Sequence, residues 1–395
     1  MGLVSVFSQC GAVHDERGCI RVVGRTCSAD EAATRCDFGD FVGWYVCRVP
    51  AGPRYRRHAP AAWRVAAARA AGPLMVSRVA LVGNGVTGGR IAQRLNIVAP
   101  GCQVTQVDPR CDMSPAHGAD VAILAHGGPQ IRSATRLVAM GVPIVSVTDR
   151  VADVQALLEL DDTARLQGVP LVVGAGMSPG LTGLLARHLV GQLELCDEIH
   201  VAVHGTAGPA CARQHHRALA GHAHGLHDGE QTVKPAGSGR ELCWFPEPVG
   251  AYDCYRAELP SPMLFHQNFP EVDRISARVS ANRRDRLTAR LPMLRPPHSE
   301  GGVGAVRVEV RGRAATGERI TLIAGVAELV ATSAAATATA FAGAVLDGSL
   351  NAGVVFSGAP ELDTLGLLHS VERLGVRLQE FTGIPQLSPE KRPHD

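Results

Sequence analysis

The stretch VALVGNGVTGGRIAQRL, Val79–Leu95, most constrains what this chain can fold into. It begins as an apolar run typical of a buried strand, continues with three glycines at GxGxxG spacing, and becomes helix-like near Val86. We assign Gly83 to the tight turn, Gly85 to close approach of the backbone to a pyrophosphate, and Gly88 to close packing of helix on strand. The positive end of that helix would face the pyrophosphate. This context predicts a dinucleotide-binding loop rather than a glycine turn without a ligand.

The predicted dinucleotide site extends beyond the glycines. The next strand-like run ends at Asp108, 20 residues after Gly88, where a carboxylate can hydrogen-bond the adenosine ribose. Arg110 could instead receive a 2′-phosphate, so NAD and NADP both stay open, with a slight preference for NAD. The predicted cofactor-binding residues are Gly83, Asn84, Gly85, Val86, Thr87, Gly88, Asp108, Arg110, Ala125, Gly127 and Thr148.

Apolar strand-like runs alternate with helix-like runs from residue 76 to residue 191. Strands are predicted at 102–108, 120–128, 143–149 and 170–176, and helices at 130–141, 151–168 and 178–191. Near-continuous apolar strands are typical of parallel sheets covered on both faces. We therefore predict an α/β fold that begins with a doubly wound parallel sheet of the Rossmann type.

Beyond Cys196 the apolar residues alternate with polar ones, which predicts a second α+β domain of mostly antiparallel sheet. Residues 205–250 are rich in His, Gly and Pro and are predicted as loops. Two helices, at 326–347 and 362–375, joined by a loop, are predicted to close the chain. The predicted organisation is a leader at 1–74, a Rossmann domain at 75–195, a substrate and dimerisation domain at 196–325, and C-terminal helices at 326–385.

Residues 1–74 differ from the rest of the chain. They contain 5 of the 11 cysteines and lack helix or strand periodicity, and Met75 stands directly before the first strand. We hypothesise that Met75 is the true start and that 1–74 is upstream sequence read from an earlier start codon. A Cys-rich appendage and a disordered tail are the alternatives.

Composition excludes several classes of partner. The 39 Lys and Arg residues nearly balance the 37 Asp and Glu residues, giving a net charge of +2, so we expect no nucleic-acid partner. No long apolar run or signal peptide is evident, which predicts no membrane association and a cytoplasmic location. There is no CxxC pair, and the histidines at 215, 216, 222, 224 and 227 lie in glycine-rich sequence, so no metal site is predicted.

Three stretches resemble the saccharopine dehydrogenase family of reductases, from about Ser77 to Gly383. The first is the glycine loop. The second is PIVSVTDRVADVQALLELDDTARLQGVPLVVGAGMSPGLTGLLARHL, and the third is ATATAFAGAVLDGSLNAGVVFSGAPELDTLGLLHSVERLGV. The leader and the His-rich segment at 212–227 have no counterpart in this resemblance.

The resemblance implies a Rossmann domain interrupted by a mostly antiparallel domain, with the last helices returning to the first domain. It implies an NAD(P)-dependent oxidoreductase that transfers a hydride to or from a C–N bond, that of an imine or secondary amine, of an amino-acid-like substrate. A homodimer is expected. Family members that reduce C=C bonds carry an SVPSD-like turn where this chain has MSPGLT, so an enoyl-type reductase of a lipid-like substrate is the less favoured reading. A dinucleotide-binding sensor without turnover is the other alternative.

The candidate catalytic residues are His126, Asp149 and His204. His126 follows a strand end beside the glycine loop, where it could contact the nicotinamide ribose or act as an acid, although a solvated loop histidine fits equally well. Asp149 ends another strand at the same sheet edge, and capping of the next helix is its alternative role. His204 could be a general acid or a buried structural histidine.

The candidate substrate-binding residues are Gly176, Met177, Ser178, Arg213 and Arg240. The first three lie at the predicted junction of the two domains. Ser178 before Pro179 has the pattern of a helix N-cap, which is a sufficient structural reason for it. Arg213 and Arg240, as well as Arg217, could bind a carboxylate bidentately, or could be ordinary surface residues.

Overall fold

The computed structural model describes residues 11–14, 20–23, 76–293 and 296–381. The chain divides into two compact units, Met1–Ala70 and Ala71–Asp395. In the first unit, the described residues form strands β1 (Gly11–His14) and β2 (Ile20–Val23), which pair antiparallel. The rest of the predicted leader, and Met75, lie outside the described residues.

The unit Ala71–Asp395 contains two sheets, which we treat as the centres of a first and a second domain. A six-stranded parallel sheet is the centre of the first domain. Its strands are β3 (Arg78–Val82), β4 (Gln103–Val107), β5 (Val121–Leu124), β6 (Ile144–Ser146), β7 (Pro170–Val173) and β16 (Gly353–Phe356). The order across the sheet is β16-β7-β6-β5-β3-β4. After β3 the chain forms β4 on one side of β3 and then β5 on the other side. The carboxyl ends of β3 and β5 therefore form the switch point where ligands bind in such sheets. The predicted Rossmann-type sheet is confirmed.

Four helices connect strands of this sheet: α1 (Val86–Val98), α2 (Ile131–Ala139), α3 (Val151–Leu158) and α4 (Asp161–Leu166). A fifth, α5 (Leu181–Val190), leads from β7 to the second domain. The single helix predicted at 151–168 is wrong, because the chain starts a new helix after Leu160. The helix predicted from residue 178 begins at Leu181 instead. Its N-cap is Gly180, so Ser178 does not cap it.

The second domain contains a mixed nine-stranded sheet. Its strands are β8 (Leu195–His204), β9 (His222–His227), β10 (Glu230–Pro235), β11 (Glu241–Trp244), β12 (Ala251–Arg256), β13 (Arg274–Ser280), β14 (Val303–Arg313), β15 (Arg319–Leu329) and β17 (Gln379–Glu380). The main order is β10-β9-β13-β8-β14-β15-β17, with β12 pairing β13 and β11. All these pairings are antiparallel except that between β8 and β13.

The loops predicted at 205–250 are wrong in most of their length. Helix α6 (Pro209–Ala218) and strands β9 to β11 occupy this segment. Pro209 stands at the start of α6, a position that proline favours. Strand β9 buries Ala223 and Leu226 while its three histidines are exposed, so a strand lies in a stretch whose glycine and histidines indicated a loop. Two further helices, α7 (Ser261–Asn268) and α8 (Arg283–Thr288), complete this domain.

The C-terminal segment returns to the first domain. Strand β15 leads directly into α9 (Val330–Leu346), which packs against α1 and contacts β5 and β6. Strand β16, in a stretch predicted as a loop, then pairs parallel with β7. Helix α10 (Thr364–Arg373) follows and packs on α9 and α5. Within the described residues, every helix is too short or too polar to cross a membrane.

Candidate functional site

A cleft of about 750 Å³ opens at the switch point of the parallel sheet. One wall is the glycine loop with the carboxyl ends of β4, β5 and β6, and the other is α6 of the second domain. The loop at 176–178 and two residues of α9 complete the lining. A concave space of this size between two domains is typical of small-molecule sites.

The glycine loop has the geometry that the GxGxxG pattern predicted. Gly83 has φ of 105°, and a Cβ there would lie 2.8 Å from the Ala125 carbonyl oxygen. A Cβ at Gly88 would overlap the Gly83 carbonyl oxygen, whereas one at Gly85 would have no atom within 4 Å. Gly85 is the N-cap of α1, with no side-chain cap and no acidic residue in the first turn. The loop therefore leaves open space at the positive end of a helix, which suits an anion.

Asp108 and Arg110 line the end of the cleft beside β4. The Asp108 Oδ1 atom accepts a hydrogen bond from the Arg110 backbone N–H at 2.8 Å. Both side chains are exposed. A carboxylate and a guanidinium thus stand together where the adenosine ribose of a dinucleotide would lie.

His126, with Ala125 and Gly127, lines the middle of the cleft. Burial lowers the pKa of the His126 imidazole, which favours the neutral ring at neutral pH. Its Nε2 atom is buried and has no hydrogen-bond partner among the described residues. A buried nitrogen without a partner is uncommon in proteins and marks a place where a ligand can supply the bond.

Gln130 and Ser146 hold the His126 loop in place, and sequence reasoning missed both. Gln130 is buried, and its Nε2 donates to the His126 carbonyl oxygen at 2.9 Å. The Ser146 hydroxyl donates to the Gln130 Oε1 at 2.7 Å. These bonds connect the loop after β5 to the end of β6, so the cleft is supported by a buried polar network.

Thr148 lies at the end of β6 and lines the cleft. Its hydroxyl donates to the Asp153 Oδ2 at 3.3 Å, so the side chain is also turned toward α3. Asp149, the next residue, does not cap α3, whose N-cap is Arg150 without a side-chain hydrogen bond. The alternative capping role for Asp149 is therefore wrong.

Asp149 lies instead against two residues of α6 that sequence reasoning did not connect to it. The Asp149 Oδ2 atom is 3.8 Å from the Cys211 Sγ and 3.8 Å from the His215 Nε2. Burial raises the pKa of the Asp149 carboxyl, although the nearby His215 acts in the opposite direction. Burial also lowers the pKa of the His215 imidazole and raises the pKa of the Cys211 thiol. The spacing of Cys211 and His215, four residues apart, puts both on one face of a helix, but the segment had been predicted as a loop. Of the five histidines from 215 to 227, His215 alone lines the cleft.

The candidate substrate residues are only partly brought together. Gly176, Met177 and Ser178 line the cleft, as do Arg213 and Arg217. Arg240 does not line it. Its Nε atom lies 2.9 Å from the Asp253 Oδ1, and Asp253 raises the pKa of the guanidinium. Arg240 is thus placed in a surface ion pair of the second domain.

His204 also lies outside the cleft. Successive residues of a strand point to opposite faces, and Val203 of β8 is the one that lines the cleft. The His204 Nδ1 atom lies 2.8 Å from the Ser280 Oγ, and the ring centroid is 4.1 Å from that of Tyr252. Burial lowers its pKa. Its contacts are those of a structural histidine, the alternative role, and do not fit a catalytic acid.

The two-domain arrangement matches a solved structure closely enough to assign the fold. Saccharopine dehydrogenase (L-Glu forming) from Saccharomyces cerevisiae superposes with a TM-score of 0.57 at 13% sequence identity, covering 78% of this chain and 100% of that one. This chain has the saccharopine dehydrogenase fold. The fold that the resemblance implied is therefore confirmed.

Two other solved structures show weaker likenesses. The diaminopimelate (DAP) dehydrogenase of C. glutamicum in complex with DAP has a TM-score of 0.43 at 14% identity, covering 74% of this chain and 95% of that one. An engineered D-amino acid dehydrogenase bound to NADP+ has a TM-score of 0.45 at 15% identity, covering 74% of this chain and 96% of that one. No protein-family model and no curated protein matches this chain.

Proposed function

We propose that this chain is an NAD(P)-dependent oxidoreductase that transfers a hydride to or from a C–N bond of a small, amino-acid-like substrate. One observation carries the proposal: the cleft has a dinucleotide-type glycine loop at one side and the guanidinium-bearing helix α6 at the other. The yeast protein of the same fold is a saccharopine dehydrogenase, which agrees with this chemistry.

The residues of the first domain fit a dinucleotide. The open space at Gly85 and the first-turn amides of α1 would face the pyrophosphate, and Asp108 or Arg110 would contact the adenosine ribose. The Ala125–Gly127 segment would lie along the nicotinamide ribose. A bound nicotinamide cofactor supplies or accepts the hydride, and the protein positions the reacting groups.

The second domain would hold the substrate. Arg213 and Arg217 line the cleft from α6, and guanidinium groups bind carboxylates in a bidentate manner. Met177 and Ser178 would contact the rest of the molecule. The neutral His126 ring, whose Nε2 has no partner among the described residues, would accept the proton released when an amine is oxidised.

The first experiment is a fluorescence titration of NADH and NADPH into the purified full chain. Saturable binding of at least one cofactor is expected, followed by turnover when amino acids and oxo acids with ammonia or primary amines are screened by absorbance. Binding without any turnover would favour the sensor alternative. No binding by the folded protein would reject both.

We also propose a homodimer formed through the second domain. Leu242 and Tyr252, on the β11–β12 hairpin, are 56% and 44% exposed, and Val233 on β10 is 55% exposed. Burial of these exposed apolar side chains against a second copy would stabilise a dimer. Light scattering coupled to size exclusion tests this proposal, and a monomeric mass at micromolar concentration would reject it.

A further inference from the structure

Three side chains with metal-ligating atoms converge in the cleft and are not used by the proposed hydride transfer. They are Asp149 from the loop after β6, and Cys211 and His215 from α6. Their ligand atoms all lie within 4.8 Å of one another. The first domain thus supplies one of these atoms and the second domain the other two.

These separations do not make a good hydrogen-bonded cluster. The His215 Nε2 lies 3.8 Å from the Asp149 Oδ2, beyond the range of a nitrogen–oxygen hydrogen bond. Arg150 follows Asp149 in the sequence, but its guanidinium forms an ion pair with Asp153, at 3.6 Å. Of the three groups, the Cys211 thiol donates one long hydrogen bond, to the Asp149 Oδ2 at 3.8 Å. They therefore face a common gap without a short bond between them, although partly buried polar groups normally make one.

The gap has nearly the dimensions of a tetrahedral metal site. Zn–S distances of about 2.3 Å and Zn–N or Zn–O distances of about 2.0–2.1 Å put tetrahedral ligand atoms about 3.3–3.6 Å apart. The two separations of 3.8 Å from Asp149 exceed this spacing by a few tenths of an ångström, and all three atoms lie within 4.8 Å of one another. Side-chain rotation must therefore draw Cys211 and His215 toward the metal. Ligands four residues apart on a helix, with a third from elsewhere, are a common zinc arrangement.

We propose that Asp149, Cys211 and His215 form a binding site for a divalent transition metal of the Zn²⁺ type in the wall of the cleft. Sulfur and imidazole ligands favour zinc over magnesium or calcium. Three protein ligands leave a fourth position open toward the cleft, as in catalytic rather than structural zinc sites. The position would take water or an amino or carboxylate group of the substrate. This last role rests on the proposed function, whereas metal binding itself does not.

Co²⁺ is the probe, because a thiolate bound to Co²⁺ gives a near-ultraviolet charge-transfer band. The full chain, treated with a chelator and desalted, is titrated with Co²⁺ and then with Zn²⁺ as competitor. We expect a saturable band that Cys211→Ser removes and that Zn²⁺ displaces. His215→Gln and Asp149→Asn are expected to weaken Co²⁺ binding by at least about 10-fold. Mutation of a residue that only supports a ligand already lowers metal affinity by this factor, and loss of a ligand should lower it further.

Another cysteine and another histidine of the chain serve as matched controls for Cys211 and His215. Cys111 and His222 are exposed and lie outside the cleft, so Cys111→Ser and His222→Gln should keep the band unchanged. Circular dichroism checks that each variant is folded, and Cys211→Ser is the near-isosteric change that carries the test. A band that persists in Cys211→Ser, or no band in the native chain, would overturn the proposal.

The same preparation separates this inference from the proposed function. NADH and NADPH are titrated into the metal-free chain and into the chain loaded with Zn²⁺. Cofactor binding without a cobalt band would overturn only the metal site. A cobalt band that depends on Cys211, without binding of either cofactor, would uphold the metal site and overturn the oxidoreductase.

Discussion

Replacing Gly85 by Asp should abolish dinucleotide binding while leaving the fold intact. The position has φ of −71° and ψ of −173°, the extended conformation in which Asp is a favoured N-cap. A Cβ there meets no atom within 4 Å. We therefore expect the free energy of unfolding to rise by a few tenths of a kcal/mol, since Asp caps a helix better than Gly.

The same carboxylate would lie where the pyrophosphate binds. Two like charges about 4 Å apart repel by about 4 kcal/mol at an effective dielectric constant near 20, which corresponds to roughly a 1,000-fold weaker affinity. NADH and NADPH fluorescence titrations measure this loss, and thermal unfolding measures the stability. Gly89→Asp is the matched control, because Gly89 is also exposed with no atom within 4 Å of its Cβ position but lies one turn further along α1. Unchanged affinity in Gly85→Asp, or equal losses in both variants, would refute the assignment of the loop.

Three further predictions concern other parts of the molecule. Asp108→Ala should weaken the binding of NADH by about 10–100-fold, which is what one hydrogen bond to a charged group contributes, and should shift the preference toward NADPH. Equal changes in the affinities for NADH and NADPH would contradict this prediction. Arg213→Ala should raise the KM for a carboxylate substrate by a similar factor, while the KM for an amine without a carboxylate stays unchanged. Glu309, buried on β14, has a pKa that burial alone would raise but that Arg307 and Arg311 hold below its usual value. The ionised Glu309 carboxylate therefore stabilises the folded state at pH values above its pKa in the unfolded chain. This stabilisation is lost as the pH falls through the lower pKa that Glu309 has in the folded state. Glu309→Gln should thus cost about 3–5 kcal/mol at neutral pH, and denaturant unfolding should show this difference shrinking in acid; a constant difference would contradict the pairing.

The parallel sheet and its glycine loop could be predicted because their signals are local. Strand β3, the three glycines and α1 lie within 21 residues, from Arg78 to Val98, and each carries its own pattern. Strand β16 could not be predicted in this way, since Gly353–Phe356 is a four-residue run. Its pairing with β7 depends on α9 returning the chain to the first domain. Tertiary context, not local propensity, decides such an element.

The candidate site divides along the same line. Asp108 and Thr148 could be placed at the cleft from the sequence, because both follow strands of one parallel sheet, whose carboxyl ends meet at a common edge. The neighbours of Asp149 were missed, because Cys211 lies 62 residues further along the chain in a segment whose composition indicated loops. The Pro209 start of α6 was the one local signal that could have revealed a helix there.

Helix α9 explains how two domains so different in pattern form a single cleft. It leaves β15 of the second sheet directly, and Val330 and Ala334 in its first turns line the cleft. On the other side, the Arg90 guanidinium of α1 donates to the Thr332 hydroxyl at 2.9 Å. Since α1 is the helix whose N-terminus faces the predicted pyrophosphate, one buried helix fixes the glycine loop relative to the second sheet. The position of the glycine loop relative to the second sheet is therefore fixed by packed helices, and hydride transfer requires a fixed geometry of this kind.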